Sequence, residues 1–432
     1  MKPPPQPSGM HSRALYSRAY AWGWAPVLVL LALPIASFTA LSALQIAGVL
    51  VLIAAGHAVL LHGEHRRRLA TPVLAAPPQA YWRAVWCFSI LSIVGCWLVA
   101  REQASILGDS SFENLQERYV AMVQASLEGN SSSSILSSIG NLVRSFFFVA
   151  LVAFVAYTRT SAARWKKLIA AALIGLALAE NFQLNVSRLQ FIFYIICLAI
   201  AAHIVAHPWL KKKWPIVTVA GLLSIFMVIT TNQRFTASFG DDSVAADYIA
   251  QLFGVQILPL GSHVIDQLGV AVFTLSIYLS QSVAELIRLI ADNPSPYALG
   301  RHSLFLVISP VLRLIGFPLT PGTDAPLTNQ GLWWGFMGDL YIDFGILFPV
   351  AFLLVMWLMA RTAIRFGTGP VYGLTLRCLT AGMLFVVPYT GIFNTYAVSY
   401  FGILALAAWE RKSRRKPRVS TIIGSHAAHS PR

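Results

Sequence analysis

Two carboxylates late in the chain have a spacing that suits catalysis. Asp339 and Asp343 lie four residues apart in the stretch Asp-Leu-Tyr-Ile-Asp-Phe-Gly, so on a helix they share one face. Such a pair can act as a general base and a cation ligand, or it can pair with arginines and hold a helix end. Trp333 and Tyr341, before and within this stretch, suit either an aromatic belt at a membrane interface or a platform for stacking sugar rings.

Arg188 is the sharpest single candidate for binding an anion. It follows a segment rich in polar residues, 180–187, that separates two apolar runs. Polar groups in such a position are costly in a membrane unless they are paired or face water. A guanidinium group there can hold a phosphate through two parallel hydrogen bonds. The alternative is a side chain that reaches to the interface, and the polar neighbours favour phosphate binding.

More arginines and histidines occur in the long segment 232–338, which contains no lysine. The set comprises Arg234, Arg288, Arg301, Arg313, His263 and His302. Arginine without lysine indicates anion binding. Pairing with nearby acids is the structural alternative for about half of these arginines. The acids are Asp241, Asp242, Asp247, Asp266 and Glu285.

Membrane-spanning helices are the elements that must position these residues. The 432 residues are 56% hydrophobic and only 11% charged, whereas soluble domains carry about 25% charged residues. This composition excludes a soluble enzyme, a disulfide scaffold, a disordered chain and an ordinary nucleic-acid binder. The apolar runs are continuous rather than alternating, which favours helices over a barrel. The sequence therefore predicts an all-α, polytopic helical membrane protein.

About ten transmembrane helices are predicted, or twelve if two weaker segments, 268–290 and 303–317, also span. The ten stronger runs are 24–40, 42–61, 84–100, 142–157, 168–184, 187–206, 214–231, 344–360, 371–389 and 395–409.

The distribution of charge predicts the orientation. Most of the 32 basic residues recur in short loops and at both ends of the chain, which the positive-inside rule assigns to the cytoplasm. The only acids on that side are Glu64 and Glu410. The predicted organisation is an N-terminal tail (1–23), a bundle (24–409) with periplasmic segments 101–141 and 232–338, and a basic tail (410–432). The net charge of +15 is then mostly explained by the basic cytoplasmic segments of a membrane protein, and no nucleic-acid partner is expected.

Motifs for cofactor binding are absent from the sequence. It contains no phosphate-binding P-loop, no dinucleotide-binding glycine motif and no His-Glu-x-x-His. The four cysteines lie in apolar runs without paired spacing, which is typical of core residues. The short loop after the first predicted span has no acidic residue, so we expect neither a cofactor nor a divalent metal.

The chain resembles the Wzy-type family of oligosaccharide repeat-unit polymerases, which build O-antigens and exopolysaccharides. The motifs that carry the resemblance are Ser187-Arg188 opening a predicted span, Tyr278-Leu279-Ser280 before a helix that ends near Arg288, Asn329, and Asp339-x-Tyr341-x-Asp343-Phe344-Gly345 leading into a span. The family has ten to fourteen helices and a large outer loop late in the chain, and the sequence predicts both here.

The resemblance implies a glycosyltransferase at the periplasmic face of the bacterial inner membrane. Its substrate would be an oligosaccharide linked to undecaprenyl diphosphate, and its partners a flippase and a chain-length regulator. Arg188 and Arg234 best match the arginines implicated in the family, and fixed guanidinium groups would stabilise the departing diphosphate. The candidates for the base are Asp339, Asp343, His263 and Asp266. The residues expected to bind substrate are Arg288, Arg301, Tyr278, Asn329, Trp333 and Tyr341.

Two other functions remain open from the sequence. An O-antigen ligase, which moves a finished glycan onto another lipid, shares the topology and the outer arginines. A transporter or flippase of lipid-linked sugars is less favoured, because transporters concentrate charged or broken helices at mid-membrane. Here the ionisable groups gather at the predicted outer ends of the helices.

Overall fold

The computed structural model describes residues 14–38, 42–65, 77–107, 135–184, 188–208, 242–292, 297–300, 302–304 and 335–415, with a few single positions between 209 and 241. This part of the chain is predominantly helical, as the sequence predicts. It also contains one element that the all-α prediction lacks, a two-stranded antiparallel sheet.

The elements follow one another as α1 (Leu15–Ala32), β1 (Ala36–Phe38), α2 (Ala43–His65), α3 (Pro78–Leu107), α4 (Ile135–Ser145), α5 (Phe147–Thr158), α6 (Arg164–Leu184), α7 (Arg188–Ile204), α8 (Asp242–Phe253), β2 (Val255–Ile257), α9 (Pro259–Leu268), α10 (Val270–Asp292), α11 (Gly335–Phe344), a 3-10 turn (Gly345–Leu347), α12 (Phe348–Phe366), α13 (Tyr372–Val386) and α14 (Ile392–Arg415). Among the described residues, the largest hydrophobic core is formed by α1, α2, α3, α5, α6, α7, α10, α11, α12, α13 and α14.

Five helical segments within the described residues are long and apolar enough to cross a membrane. They are Ala43–His65, Pro78–Ala104, Ile139–Thr158, Val270–Asp292 and Gly335–Phe366. The weaker predicted segment 268–290 is therefore a helix of spanning length. The segments 303–317 and 214–231 lie almost entirely outside the described residues, so the count of ten or twelve spans stays a prediction.

The first helix differs from its predicted bounds. The sequence predicts a span at 24–40, but α1 begins at Leu15 and ends at Ala32, and 36–38 forms β1. The early start has a long-range cause. The carboxylate of Glu64, at the end of α2, accepts hydrogen bonds from the backbone N–H groups of Tyr16 (2.7 Å) and Ser17 (3.2 Å) and from the Ser17 hydroxyl (2.6 Å). These are first-turn amides of α1, which have no partner within their own helix.

Glu410 caps the N-terminus of α13 in the same way as Glu64 caps that of α1. Its carboxylate accepts hydrogen bonds from the N–H groups of Val371 (3.4 Å), Tyr372 (3.1 Å) and Gly373 (3.0 Å). A negative charge at a helix N-terminus also opposes the positive end of the helix dipole. The two acids predicted on the cytoplasmic side are thus both helix caps, each supplied by a distant helix.

Replacing the Glu410 cap should destabilise the protein. We expect Glu410→Ala to lower the free energy of unfolding by about 1–3 kcal/mol, because N–H groups in a largely buried site lose their acceptor. Thermal unfolding of the purified protein in detergent measures this. Asp247→Ala is the matched control, since Asp247 is exposed on α8. Equal melting temperatures for the two variants would show that the cap contributes nothing.

The segment Gly335–Phe366 is a folded-back pair of helices rather than one straight rod. The rings of Phe336 and Phe352 have centroids 6.3 Å apart, whereas sixteen residues of straight helix would separate them by about 24 Å. The reversal occurs at the 3-10 turn, where Gly345 has φ +54° and the ring of Tyr297 occupies the place of a side chain. This reversal buries α11 from Gly335 through Asp343 and brings both carboxylates of interest into the bundle.

Candidate active site

The described residues 297–300 and 302–304, together called the segment 297–304, lie around the C-terminal end of α11. The N–H of Ala298 donates to the carbonyl of Ile342 (3.0 Å), and the N–H of Leu299 donates to the carbonyl of Asp343 (2.8 Å). Leu299 and Gly300 both adopt positive φ values, +50° and +88°. The turn is tight, and it satisfies carbonyls that the helix end leaves without an intrahelical partner.

Asp343 anchors this segment with its side chain. Oδ1 accepts hydrogen bonds from the N–H groups of Gly300 and His302, and Oδ2 accepts one from Ser303, each at 2.9 Å. The Asp343 side chain has no exposed surface. A carboxylate held by three amides in a buried position is fixed in orientation, so this group positions the segment on α11.

Asp339, one helical turn before Asp343, faces the imidazole of His302. Nε2 of His302 lies 3.1 Å from Oδ1 of Asp339. The His302 side chain is 18% exposed and that of Asp339 is 7% exposed, so the imidazole is the accessible member of the pair. Asp343 holds the His302 backbone while Asp339 orients its ring. This is the arrangement in which a histidine can accept a proton while a carboxylate stabilises the resulting cation.

The pKa of His302 is set by opposing effects. Burial lowers it, but the hydrogen bond and negative charge of Asp339, together with the charge of Asp343, raise the pKa of His302 above its ordinary value of 6.5. A general base is most effective when its pKa lies near the working pH. Folding favours the protonated imidazole, so its contribution to stability is complete below pH 6.5 and is lost as pH rises through the raised pKa.

This linkage predicts a pH-dependent difference in stability. The melting temperature of the native protein should exceed that of His302→Gln by most at about pH 6. The difference should shrink as pH rises through the raised pKa of His302, because the imidazolium then loses its proton. Thermal unfolding of both proteins across this range measures it. A difference that stays constant or grows with pH would show that Asp339 does not favour the protonated ring.

Three other predicted residues have clear contacts. The hydroxyl of Tyr341 donates to the carbonyl of Ile290 on α10 (3.4 Å). Arg288 forms an ion pair with Glu285 (3.1 Å) and donates to the carbonyl of Phe253 (3.0 Å). Tyr278 is exposed, and its ring packs edge-on against Phe253. For Arg288 the structure therefore shows the pairing with a nearby acid that the sequence left as an alternative.

Among the remaining predicted residues, those that the structure describes show no contact with this site. His263 is exposed on α9, as is Asp266. Arg188 is the first residue of α7, and its side chain lies outside the described residues. Arg234, Arg301, Arg313, Asn329 and Trp333 also lie outside them.

From the sequence, His302 belongs to the set of arginines and histidines in 232–338, but it is not among the candidates for the general base. The histidine stands beside Arg301 in a polar break between apolar runs, a signal shared with His263. Its distinguishing partner, Asp339, lies 37 residues further along the chain. Only the wrapping of 297–304 around α11 makes the two neighbours.

The described residues contain no group of three or more histidine, cysteine or acidic side chains that could hold a metal ion. His302 and Asp339 would supply two ligands, and the oxygens of Asp343 are directed at backbone amides.

Comparison with known proteins yields no relative: no protein-family model, no curated protein and no solved structure matches the chain.

Proposed function

We propose that the chain is a membrane glycosyltransferase that polymerises oligosaccharide repeat units carried on undecaprenyl diphosphate. The observation that carries the proposal is the contact of 3.1 Å between His302 and Asp339. This pair combines a partly accessible base with an orienting carboxylate. It is built on the Asp-Leu-Tyr-Ile-Asp block that resembles a motif of repeat-unit polymerases.

His302 would act on the acceptor sugar. Nδ1, the nitrogen that does not face Asp339, accepts the proton of the acceptor hydroxyl, and Asp339 stabilises the imidazolium that forms. The hydroxyl oxygen bonds to the anomeric carbon of the donor sugar. The bond between that carbon and the diphosphate breaks, and the lipid diphosphate leaves with the electron pair.

Arg188 and Arg234 would act on the leaving group. Charge develops on the diphosphate oxygens as the glycosidic bond breaks, and fixed guanidinium groups in a water-poor site stabilise that charge. Because these groups take the place of a divalent cation, we expect EDTA to leave the reaction rate unchanged. Arg301, Asn329, Trp333 and the other residues expected to bind substrate would then hold the sugars.

The proposed topology has about ten spans, or twelve, in the bacterial inner membrane with both termini in the cytoplasm. Two sets of contacts support it. The caps from Glu64 and Glu410 join segments that the charge distribution assigns to the cytoplasmic side. The pairing of β1 with β2 joins the loop after the first span to the segment 232–338, both of which are assigned to the periplasm. A flippase and a chain-length regulator in the same membrane remain the expected partners.

Deletion of the gene tests the proposal in cells. Loss of a polymerase should leave single repeat units on the lipid carrier, because no other step joins them. Long polymer that accumulates on the carrier would instead indicate a ligase. Normal long chains on the cell surface would contradict both assignments.

A further inference from the structure

Arg144, on α4, is held against α3 at a point where two glycines meet. A Cβ atom on Gly95 would lie 2.6 Å from the carbonyl oxygen of Gly140 and 2.7 Å from the backbone nitrogen of Arg144. A Cβ atom on Gly140 would lie 2.8 Å from the carbonyl oxygen of Gly95. The two backbones therefore touch, and this contact fixes where the side chain of Arg144 begins.

The guanidinium group of Arg144 forms no ion pair with any of the residues that the structure describes. Its Nη1 atom is buried and has no hydrogen-bond partner among the described residues, and no carboxylate there forms an ion pair with it. The side chains that interact with it electrostatically are Cys96 and Tyr194, which are neutral at pH 7. Arg144 also belongs to Ile139–Thr158, one of the segments apolar enough to span a membrane. A guanidinium group stays charged in such surroundings, and intramembrane charges without a partner are costly and mark functional sites.

Tyr194, which interacts with Arg144, belongs to a hydrogen-bond network of polar side chains from three further helices. Asn181, on α6, donates to the hydroxyl of Ser92 on α3 (2.8 Å). The hydroxyl of Tyr194, on α7, accepts a hydrogen bond from Gln190 (2.9 Å) and makes only a long one, 3.4 Å, to the side-chain oxygen of Asn181. The Asn181 amide also donates to the carbonyl of Ala177 (2.8 Å), so its N–H groups are engaged within the protein and the cation of Arg144 is the group that an anion would meet.

The helix surfaces that flank the site are apolar and exposed. On α3 these residues include Val94 and Trp97, and on α4 they include Ile139 and Leu142. Tyr194 lies six residues after the start of α7, which is about 9 Å along the axis. A phosphate carried by a lipid would therefore approach Arg144 alongside its own acyl chains, whereas a free ion would have to pass apolar surface.

We propose that Arg144 binds the phosphate headgroup of a membrane lipid at the junction of α3, α4 and α7. A guanidinium group matches two phosphate oxygens at once, and phosphate is the anion that membrane lipids carry. The inference does not rest on the proposed polymerase activity, because ordinary phospholipids and polyprenyl phosphates both carry the group.

Binding to the purified full-length protein in detergent tests this site. Native mass spectrometry would be used with three probes in turn: undecaprenyl phosphate, phosphatidylglycerol and inorganic phosphate. We expect Arg144→Gln to weaken binding of at least one of the two lipids by about tenfold or more. The lipid most affected identifies the source of the headgroup. The matched control is Arg101→Gln, which removes an exposed guanidinium stacked on Trp97 of the same helix, α3, and should leave binding unchanged.

A second variant separates ligand binding from a purely structural role. In the absence of lipid, Arg144→Met should melt at the same temperature as the native protein or higher, because it removes an uncompensated charge. It should also lose the rise in melting temperature that the lipid gives the native protein.

Two results would overturn the inference: equal lipid binding by Arg144→Gln and Arg101→Gln, or an effect of Arg144→Gln on inorganic phosphate alone. Neither readout depends on sugar transfer. Failure of this site and failure of the proposed function are therefore distinguishable.

Discussion

His302→Gln should lower the rate of polymer formation by about 100- to 10,000-fold, the range over which a positioned general base accelerates a reaction. Glutamine fills a similar volume but cannot accept the proton of the acceptor hydroxyl. The measurement is the rate at which purified protein in nanodiscs converts a lipid-linked repeat unit into longer glycans.

The matched control is His263→Gln. His263 is exposed on α9 and remains a candidate from the sequence, so the pair of variants decides between two histidines. If His263→Gln abolished the reaction and His302→Gln did not, the general base would be His263 and its assignment to His302 would be wrong.

Substitutions of the two aspartates of α11 should have different effects on the reaction rate and on the melting temperature. Asp339→Asn should slow the reaction, because it removes the charge that stabilises the His302 imidazolium. At a pH where His302 is neutral it should largely preserve the melting temperature, since the ion pair contributes to stability only while the ring is protonated. Asp343→Asn should lower the melting temperature, since the amide can present only one oxygen to three N–H donors. Equal effects on rate and stability in both variants would contradict this division of roles.

Arg188→Ala and Arg234→Ala should each reduce the rate by about 100- to 1,000-fold, the usual loss when one fixed donor to a developing oxyanion is removed. The same reaction in nanodiscs measures this, with membrane insertion checked separately. Lysine at either position should restore part of the activity, because it keeps the charge but not the paired hydrogen bonds. Arg101→Gln again serves as control. Full activity in both alanine variants would remove the arginines from the mechanism.

The helical character of the chain and the placement of Asp339 and Asp343 on one helix could be predicted from the sequence. Both depend on local pattern, which is continuous apolar runs in the first case and a spacing of four residues in the second. Local pattern also identified the helix near 268–290, which the structure places at Val270–Asp292.

The features of the fold that could not be predicted from the sequence depend on contacts between distant parts of the chain. The start of α1 is set by Glu64, nearly fifty residues away. The partner strands β1 and β2 have three residues each and lie more than two hundred residues apart. No local pattern reports either contact, so the predicted bounds of the first span were wrong.

The different roles of Asp339 and Asp343 in the candidate site also could not be predicted from local sequence pattern. A spacing of four residues places two carboxylates on one face, but it does not say which of them a loop will cover. The wrapping of 297–304 around α11 directs three amides to Asp343 and leaves Asp339 for the ring of His302. The division of labour between the two acids therefore comes from tertiary structure.

The most direct test is a reaction of the purified protein with its lipid-linked repeat unit, without nucleotide or ion gradient. The account predicts new glycosidic bonds, release of undecaprenyl diphosphate in equal amount, and a rate that rises with pH as His302 loses its proton. A folded protein that binds the unit yet forms no bond would contradict the account.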